Sequence, residues 1–195
     1  MLFGDDFKKI EEAKILLLGV GGVGSYCLDC LYRSGVRDIT IIDFDTYDES
    51  NQNRQMWSEQ HCGESKVMSL KEHYPEIVAI DKKIDPAWVE AFDFEPYDLV
   101  LDAIHDTHAK LISATGSAKR LDPTKIEVST IWKAHGDRFA SKLRYELKKR
   151  RFSKKYPVIF SSEPAHTKVK GSFMAVTAAF GLTMCSVAIK RLTQQ

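Results

Sequence analysis

The sequence lacks an excess of charge of either sign, because 28 lysine and arginine residues stand against 27 aspartate and glutamate residues. The formal net charge of +1 gives no whole-chain argument for binding nucleic acid or a membrane surface. Any electrostatic partner therefore has to be inferred from local clusters of charge.

Cysteine is also scarce, with four residues at 27, 30, 62 and 185. So few thiols fit a reducing compartment better than a disulfide framework. The pair Cys27 and Cys30 lacks the second pair of ligands that a structural zinc site normally needs, so we predict two buried residues on a helix. The first 14 residues are charged and contain no apolar stretch typical of a signal peptide, and we expect a cytoplasmic protein.

A long uninterrupted apolar run is missing as well. The C-terminal stretch GSFMAVTAAFGLTMCSVAIKRL is broken by Thr, Ser and Gly, whereas a bilayer span needs about 20 predominantly apolar residues. It predicts a buried helix of a soluble fold with Ser172 as its N-cap, and no stable insertion into a membrane.

Short apolar runs alternate with helical patterns along the first half of the chain. The predicted strands are KILLL, ITII, IVAIDKKI and YDLVLD, and the predicted helices are SYCLDCLYRSG, SKVMSLKEHY and PAWVEAF, the last with Asp85 and Pro86 as cap and first turn. This order predicts an α/β fold: a Rossmann-like, mostly parallel sheet with helices on both faces.

The second half is less regular. TKIEVSTI alternates like a strand, Asp137 is placed to cap a helix with a stripe of Phe139, Leu143 and Leu147, and YPVIF reads as a further strand. We expect a single domain over residues 1–195, with an ATP-binding part at about 1–110 and a substrate-facing part at about 111–195.

The connection after YDLVLD is too short for a standard crossover. Fewer than about ten residues separate Asp102 from the apolar residues at Leu111, whereas a crossover with its helix needs about 10–12 or more. Either these two strands are not parallel neighbours or residues are missing between about Asp106 and Leu111.

A glycine motif, G-x-G-x-x-G, lies between the first strand and the first long helix. Its residues are Gly19, Gly21 and Gly24, and Asp43 ends the next strand at close to the spacing of a dinucleotide fingerprint. Glycines let backbone N–H groups approach a phosphate, the helix N-terminus favours negative charge, and a carboxylate can bind ribose hydroxyls. The motif predicts nucleotide binding.

The polar loop DTYDESNQNRQ then distinguishes between classes of nucleotide. A dehydrogenase binds only a pyrophosphate at its glycine loop, whereas an enzyme that transfers AMP must also hold the outer phosphates of ATP. Asn51, Arg54 and Lys66 follow the ribose carboxylate and supply donors and positive charge. The loop favours a triphosphate, although a solvated loop with ordinary surface charges is the alternative.

Four motifs together resemble the ThiF-type adenylyltransferases, the superfamily of ubiquitin-activating enzymes. They are G-x-G-G-x-G-S, S-G-V-x-x-I-T-I-I-D-F-D, S-N-x-N-R-Q and G-x-x-K. The resemblance implies that ATP is bound by Gly19, Gly21, Gly22, Gly24, Asp43, Asp45, Asn51, Arg54 and Lys66. It also implies attack of a carboxylate on the α-phosphate, release of pyrophosphate, a need for Mg²⁺ and a homodimer.

The second half indicates a branch of that superfamily. GSAKRLDPTKIEV followed by GDRFASKLRYELKKR is similar to tRNA threonylcarbamoyladenosine dehydratases, which use ATP to cyclise the modification with loss of water. This similarity implies tRNA as substrate. The basic residues at 142, 144, 148–151, 154 and 155 then form a surface for the tRNA backbone, or else an ordinary solvated helix face.

Two departures from the family pattern concern catalysis. The pattern D-A-I-D reads Asp102-Ala103-Ile104-His105 here, and histidine is a poor ligand for Mg²⁺. Asp106 or Asp102 is expected to hold the metal instead, which gives Arg54, Lys66 and Asp106 as the catalytic residues. No arginine precedes Arg33, so either the start is truncated or Lys8, Lys9 or Lys14 replaces the arginine that family members extend to the partner subunit.

Three alternatives to a tRNA-modifying enzyme stay open. The first is an adenylyltransferase that activates the C-terminus of a ubiquitin-like sulfur-carrier protein. The second is a catalytically impaired relative that only binds nucleotide, which His105 and the missing arginine suggest. The third is an NAD-dependent oxidoreductase, in which the phosphate-directed residues have no use.

Overall fold

The fold is built on a single mixed sheet. The computed structural model describes residues 2–102, 111–166 and 171–194. Within them, seven strands form one sheet of order β3-β2-β1-β4-β5-β7-β6. The strands are β1 Lys14–Leu18, β2 Asp38–Asp43, β3 Val78–Asp81, β4 Leu99–Asp102, β5 Leu111–Ala114, β6 Ile126–Thr130 and β7 Pro157–Ser161. All neighbouring pairs are parallel except β6 with β7, so the predicted mostly parallel α/β sheet is confirmed.

Six α-helices accompany the sheet in the described residues: α1 Phe7–Glu11, α2 Gly24–Arg33, α3 Lys66–His73, α4 Pro86–Ala91, α5 Arg138–Lys149 and α6 Met174–Thr193. Successive side chains of a strand point to opposite faces. Ile15 and Leu17 of β1 accordingly pack in one core with α2, α3 and α6, and Leu16 and Leu18 pack in a second core with α4 and α5. Helices cover both faces, as the apolar strands predicted.

The predicted helix caps are confirmed at two positions and wrong at a third. Asp85 accepts a hydrogen bond from Trp88 N at the start of α4, and Asp137 accepts from Phe139 N and Ala140 N at the start of α5. The C-terminal helix has Phe173, not Ser172, as its N-cap residue, without a side-chain capping bond. The prediction from Ser172 failed because residue type alone does not fix the residue at which the backbone becomes helical.

Helix α6 packs against α2, the helix that follows the glycine motif. It is the one helix of the described residues that is long and apolar enough to cross a bilayer by those criteria alone, and half of its apolar window is buried inside the protein. A Cβ at Gly181 would overlap Val23 O and come within 2.9 Å of Cys27 N. The glycine therefore lets α6 approach the first turn of α2 closely.

Strands β4 and β5 are parallel neighbours, with Val100 opposite Leu111 and Asp102 opposite Ser113. The alternative in which they are not neighbours is therefore wrong. Their connection, residues 103–110, includes His105, Asp106 and the place where we suspect missing residues, and it lies outside the described residues.

Cys27 and Cys30 lie on α2, as predicted, with Cys27 fully buried and Cys30 half-buried. Burial raises the pKa of the Cys27 thiol. Cys185 is buried on α6, and Cys62 is exposed in the segment between the polar loop and α3. Within the described residues, no group of three or more His, Cys, Asp or Glu side chains is placed to hold a metal ion.

Candidate active site

The glycine loop joins β1 to α2, and its conformation requires glycine at two positions. Gly19 has a φ of +84°, a conformation that disfavours side chains. A Cβ at Gly24 would overlap the carbonyl oxygen of Gly19. The loop thus brings the N-terminus of the ten-residue helix α2 to the carboxyl edge of the sheet, where its free N–H groups favour an anion.

Asp43, at the end of β2, holds the glycine loop in place. Its carboxylate is 5% exposed and accepts hydrogen bonds from Val20 N at 2.8 Å and Asp45 N at 3.0 Å. A carboxylate offers about four lone-pair sites, so two further bonds from ribose hydroxyls are compatible with these contacts. Asp43 therefore organises the loop, and its predicted role in binding a ribose is compatible with this geometry.

The polar loop is fixed by its own hydrogen bonds. Asn51 is buried and accepts from Asp48 N, while Asp48 accepts from Ser50 N, which makes a capping box around a single 3-10 turn. The hydrogen bonds from Ser50 lower the pKa of Asp48. Asn51 was predicted to bind phosphate; in the structure it caps this turn and does not line the cleft described below.

Buried contacts also hold the two ends of the polar loop and the residues that follow it. Tyr47 donates its hydroxyl to Met56 O at 2.9 Å, and burial, reinforced by the charge of Asp43, raises the pKa of Tyr47. Farther along, the rings of Trp57 and His73 stack at 3.8 Å. Burial lowers the pKa of His73. These contacts favour neutral side chains and fix the segment that carries Arg54.

Two cations face the glycine loop. Lys66, the first residue of α3, is 4% exposed and its ammonium lies 3.0 Å from the carboxylate of Asp45, which is half-exposed. Arg54 donates to two neutral oxygens, Ser50 O at 2.6 Å and Asn53 Oδ1 at 2.9 Å. A buried ammonium with one carboxylate, next to a guanidinium bound to neutral acceptors, leaves positive charge for phosphate oxygens.

These elements enclose a cleft of about 270 Å³, which we call the glycine cleft. The predicted residues that line it are Gly19, Gly21, Gly22, Gly24, Asp43, Asp45, Arg54 and Lys66. Residues that the sequence analysis missed also line it: Gln55, Ser117, Ser172 and Thr177. Gln55 could have been found, because it ends the motif S-N-x-N-R-Q; the other three come from distant parts of the chain.

The donor set of the glycine cleft fits ATP. The Oε1 atom of Gln55 is buried and has no hydrogen-bond partner among the described residues. A Cβ at Gly22 would come within 3.3 Å of Arg54 O, so the bare backbone is what lets the two segments meet. Backbone N–H groups, two cations, a carboxylate and an orphaned carboxamide are the groups that phosphates and a ribose require.

The predicted metal ligands are placed only in part. Asp102 ends β4, is 1% exposed and lies opposite Leu18 in the parallel register, which puts it beside the start of the glycine loop. Asp106 lies outside the described residues. Mg²⁺ prefers oxygen ligands and commonly uses one or two carboxylates together with substrate phosphates. Asp102 does not line the glycine cleft itself, and its role as a metal ligand stays a prediction.

The N-terminal lysines do not line the glycine cleft of their own chain. Lys8 and Lys9 lie on α1, near Glu12 and Asp6 respectively. Lys14 starts β1 and lies 3.5 Å from Asp38. All three are at the amino edge of β1, opposite the edge that carries the glycine loop.

Comparison with known proteins agrees with this geometry. The family model described as "ThiF family" matches residues 1–195. A tRNA threonylcarbamoyladenosine dehydratase of Bacillus subtilis is 33% identical over 180 residues, covering 82% of this chain and 70% of the relative. The crystal structure of the Escherichia coli tRNA N6-threonylcarbamoyladenosine dehydratase in complex with ATP is 28% identical, with a TM-score of 0.87, and the match covers 99% of this chain and 91% of that one.

Similarity to enzymes that activate ubiquitin-like proteins is more limited in extent. Subunit 2 of the SUMO-activating enzyme of Dictyostelium discoideum is 39% identical over 111 residues, which cover 53% of this chain and 17% of the relative. The dehydratase of B. subtilis, by contrast, matches over 82% of the chain.

Proposed function

The chain belongs to the ThiF family, and from this premise we propose that it is an ATP-dependent adenylating enzyme that dehydrates threonylcarbamoyladenosine in tRNA. The observation that carries the proposal is the superposition of 99% of the chain on a dehydratase solved with ATP. The glycine cleft supports it, because it combines a backbone loop for phosphates with Arg54 and Lys66.

The reaction begins when a carboxylate oxygen of the tRNA modification attacks the α-phosphorus of ATP. The bond from that phosphorus to pyrophosphate breaks, and the carboxylate becomes a mixed anhydride with AMP. A nucleophilic atom of the same modification then attacks the activated carbonyl, AMP leaves with one carboxylate oxygen, and a ring closes. The net change in the nucleoside is the loss of one water.

The side chains of this protein act by position and charge. N–H groups of the glycine loop contact the phosphates, Asp43 binds the ribose, and Lys66 and Arg54 neutralise charge that moves onto pyrophosphate. Asp102, with Asp106 as the second predicted ligand, would hold a magnesium ion that supplies further neutralisation. No covalent intermediate with the protein is needed.

The proposal extends to the organisation of the protein. Residues up to about 110 bind ATP, and residues from about 111 onward face the substrate. The active form is a homodimer in the cytoplasm, where its tRNA substrate is available. Exposed basic residues on and after α5 contact the tRNA backbone.

The test is mass spectrometry of nucleosides from tRNA that carries threonylcarbamoyladenosine, after incubation with protein, ATP and Mg²⁺. We expect the modified nucleoside to lose the mass of one water, with one AMP released for each conversion. Arg54→Ala should abolish AMP release while the fold stays intact, because the two hydrogen bonds of the guanidinium, to Ser50 O and Asn53 Oδ1, are exposed and water can replace them.

Three results would contradict parts of the assignment. Normal AMP release by Arg54→Ala would remove that residue from the site. AMP release that depends on a ubiquitin-like protein and not on tRNA would favour the carrier-protein alternative, and ATP binding without turnover on any substrate would favour the nucleotide-binding relative.

A further inference from the structure

A second pocket, of about 250 Å³, adjoins the glycine cleft. We call it the Phe173 pocket. Ser172 lines both cavities. Asn53 donates its side-chain N–H to Ser172 O at 3.0 Å, and Arg54 donates to Asn53 Oδ1 at 2.9 Å. The wall between the two pockets is thus tied directly to a residue of the glycine cleft.

Lys119 lines the Phe173 pocket in a strained backbone conformation, with a φ of +61°. Two backbone hydrogen bonds hold it there: Lys119 N donates to Gly171 O at 3.0 Å, and His166 N donates to Lys119 O at 2.8 Å. A left-handed conformation of a residue other than glycine is energetically unfavourable, and such residues are concentrated at functional sites. The fold therefore fixes the direction in which this lysine leaves the backbone.

The other cations of the Phe173 pocket are already paired. Arg120 is 4% exposed and lies 2.8 Å from the carboxylate of Asp137. The imidazole of His166 lies 3.1 Å from the carboxylate of Glu163. Lys119 is half-buried, and its ammonium has no hydrogen bond or ion pair to any described residue. Among the described residues of the pocket, it is the cation that is left to hold an anionic group of a ligand.

Two exposed apolar side chains also line the pocket. Phe173 is 48% exposed and Leu121 is 60% exposed, although both are large apolar residues. An aromatic ring that is half-exposed beside a polar pocket suits stacking of an unpaired nucleic-acid base, the usual way in which single-stranded loops are bound.

We propose that the Phe173 pocket binds the modified adenosine itself, with its base against Phe173 and its carboxylate held by Lys119. Because Lys119 N bonds to Gly171 O, next to the Ser172 wall that the pocket shares with the glycine cleft, a carboxylate held by Lys119 is near the side from which the α-phosphate of ATP is reached. Attack requires the reacting atoms to approach to about 3–3.5 Å. This inference rests on the proposed function, because it assigns the substrate of the same reaction.

Calorimetry with free nucleosides tests the pocket without turnover. The probes are threonylcarbamoyladenosine, its carboxamide analogue and adenosine, with ATP as a control ligand. We expect Lys119→Met to weaken binding of the carboxylate nucleoside at least about tenfold, because a charge-assisted bond is lost, and to leave adenosine unaffected. Phe173→Leu should weaken the binding of all three nucleosides, whereas Phe173→Tyr should bind them with the affinity of the wild type. The affinity for ATP should not change in any variant.

Kinetics with modified tRNA provide the second measurement. Lys119→Met should raise KM for tRNA, and lower kcat because the carboxylate is no longer positioned. Lys190→Ala is the matched control, since this exposed lysine lies in the last turn of α6 next to Arg191, whose side chain donates to Leu111 O at the amino end of β5. Its kinetics should match those of the wild type.

The possible failures are distinguishable. If wild-type protein dehydrates tRNA and both Lys119→Met and Phe173→Leu do so with unchanged kinetics, the pocket assignment is wrong and the proposed function stands. If wild-type protein never dehydrates tRNA but binds the nucleoside with the stated dependence on Lys119, the proposed function is wrong and the pocket stands. Absence of nucleoside binding in every form overturns the pocket.

Discussion

The carboxamide of Gln55 is buried at the edge of the glycine cleft, where its Oε1 lacks a partner among the described residues. An unsatisfied buried acceptor costs about 1–3 kcal/mol. The neighbouring backbone is close, since a Cβ at Gly21 would come within 3.8 Å of the amide nitrogen of Gln55. A nucleotide that fills the cleft can supply the missing hydrogen-bond donor. The energetic cost of the unsatisfied oxygen is then removed on binding.

This argument predicts opposite effects of Gln55→Leu on stability and on binding. The free energy of unfolding should stay constant or rise by about 1 kcal/mol, because the orphaned oxygen is removed. ATP affinity should fall about five- to tenfold. Urea unfolding and calorimetry measure the two quantities. Gln52→Leu, at an exposed position in the same loop, should change neither, and unchanged ATP affinity in Gln55→Leu would refute this role.

The residues of the glycine cleft that belong to one sequence motif could be predicted from the sequence. Those that reach the cleft only because distant segments pack together could not. Gly19, Gly24 and Asp43 follow from one βαβ unit, and all three line the glycine cleft. Ser117 and Thr177 reach the same cleft because β5 lies next to β4 and because α6 packs on α2. Nothing in the local sequence indicates that placement.

At the scale of elements, the packing of α2 against α6 controls the glycine loop. Val23 is the N-cap residue of α2, and its carbonyl oxygen is the atom that a Cβ at Gly181 would overlap. Any side chain at 181 must therefore push α6 away or displace the first turn of α2. Because that turn presents its N–H groups to the glycine cleft, packing on the far side of α2 is coupled to nucleotide binding.

Gly181→Ala should therefore destabilise the protein, even though alanine favours a helix over glycine by about 1 kcal/mol. Overpacking costs about 1–3 kcal/mol, and each 1 kcal/mol corresponds to a decrease in Tm of about 2–4 °C for a chain of this size. ATP affinity should fall as well. Calorimetric melting and ATP titration measure both effects. Gly116→Ala is the control, because its Cβ would meet nothing within 4 Å; equal behaviour of the two variants would contradict the coupling.

Elements buried on both faces were the easiest to predict. Residues 15–18 are a continuous apolar run, and the structure places them in β1, an interior strand of the sheet that starts at Lys14 as predicted. The direction of β6 could not be predicted, because an alternating pattern fits either orientation of an edge strand. Its antiparallel pairing with β7 depends on the path of the chain through α5.

At the scale of the whole molecule, the balance of charge conceals a basic segment. Residues 142–155 contain eight of the 28 lysine and arginine residues. Arg144 has a structural role within this segment. Its guanidinium donates to Ala134 O at 2.6 Å and so connects α5 to the preceding loop. Lys142, Lys148 and Lys154 are exposed. A near-neutral protein with this segment should bind tRNA locally, not through its overall field.

The salt dependence of tRNA binding tests that distinction. Lys142→Ala/Lys148→Ala should weaken binding to all tRNAs to a similar extent and reduce the slope of log K against log salt by about 0.7–0.9 for each phosphate that the protein no longer neutralises. Lys8→Ala/Lys190→Ala removes the same charge from exposed positions on α1 and α6 and should leave the slope unchanged. Fluorescence anisotropy over a range of salt concentrations, without ATP, gives both slopes. Equal slopes for the two double variants would mean that net charge, and not the basic segment, attracts the tRNA, because only a local site makes the position of the lysines matter.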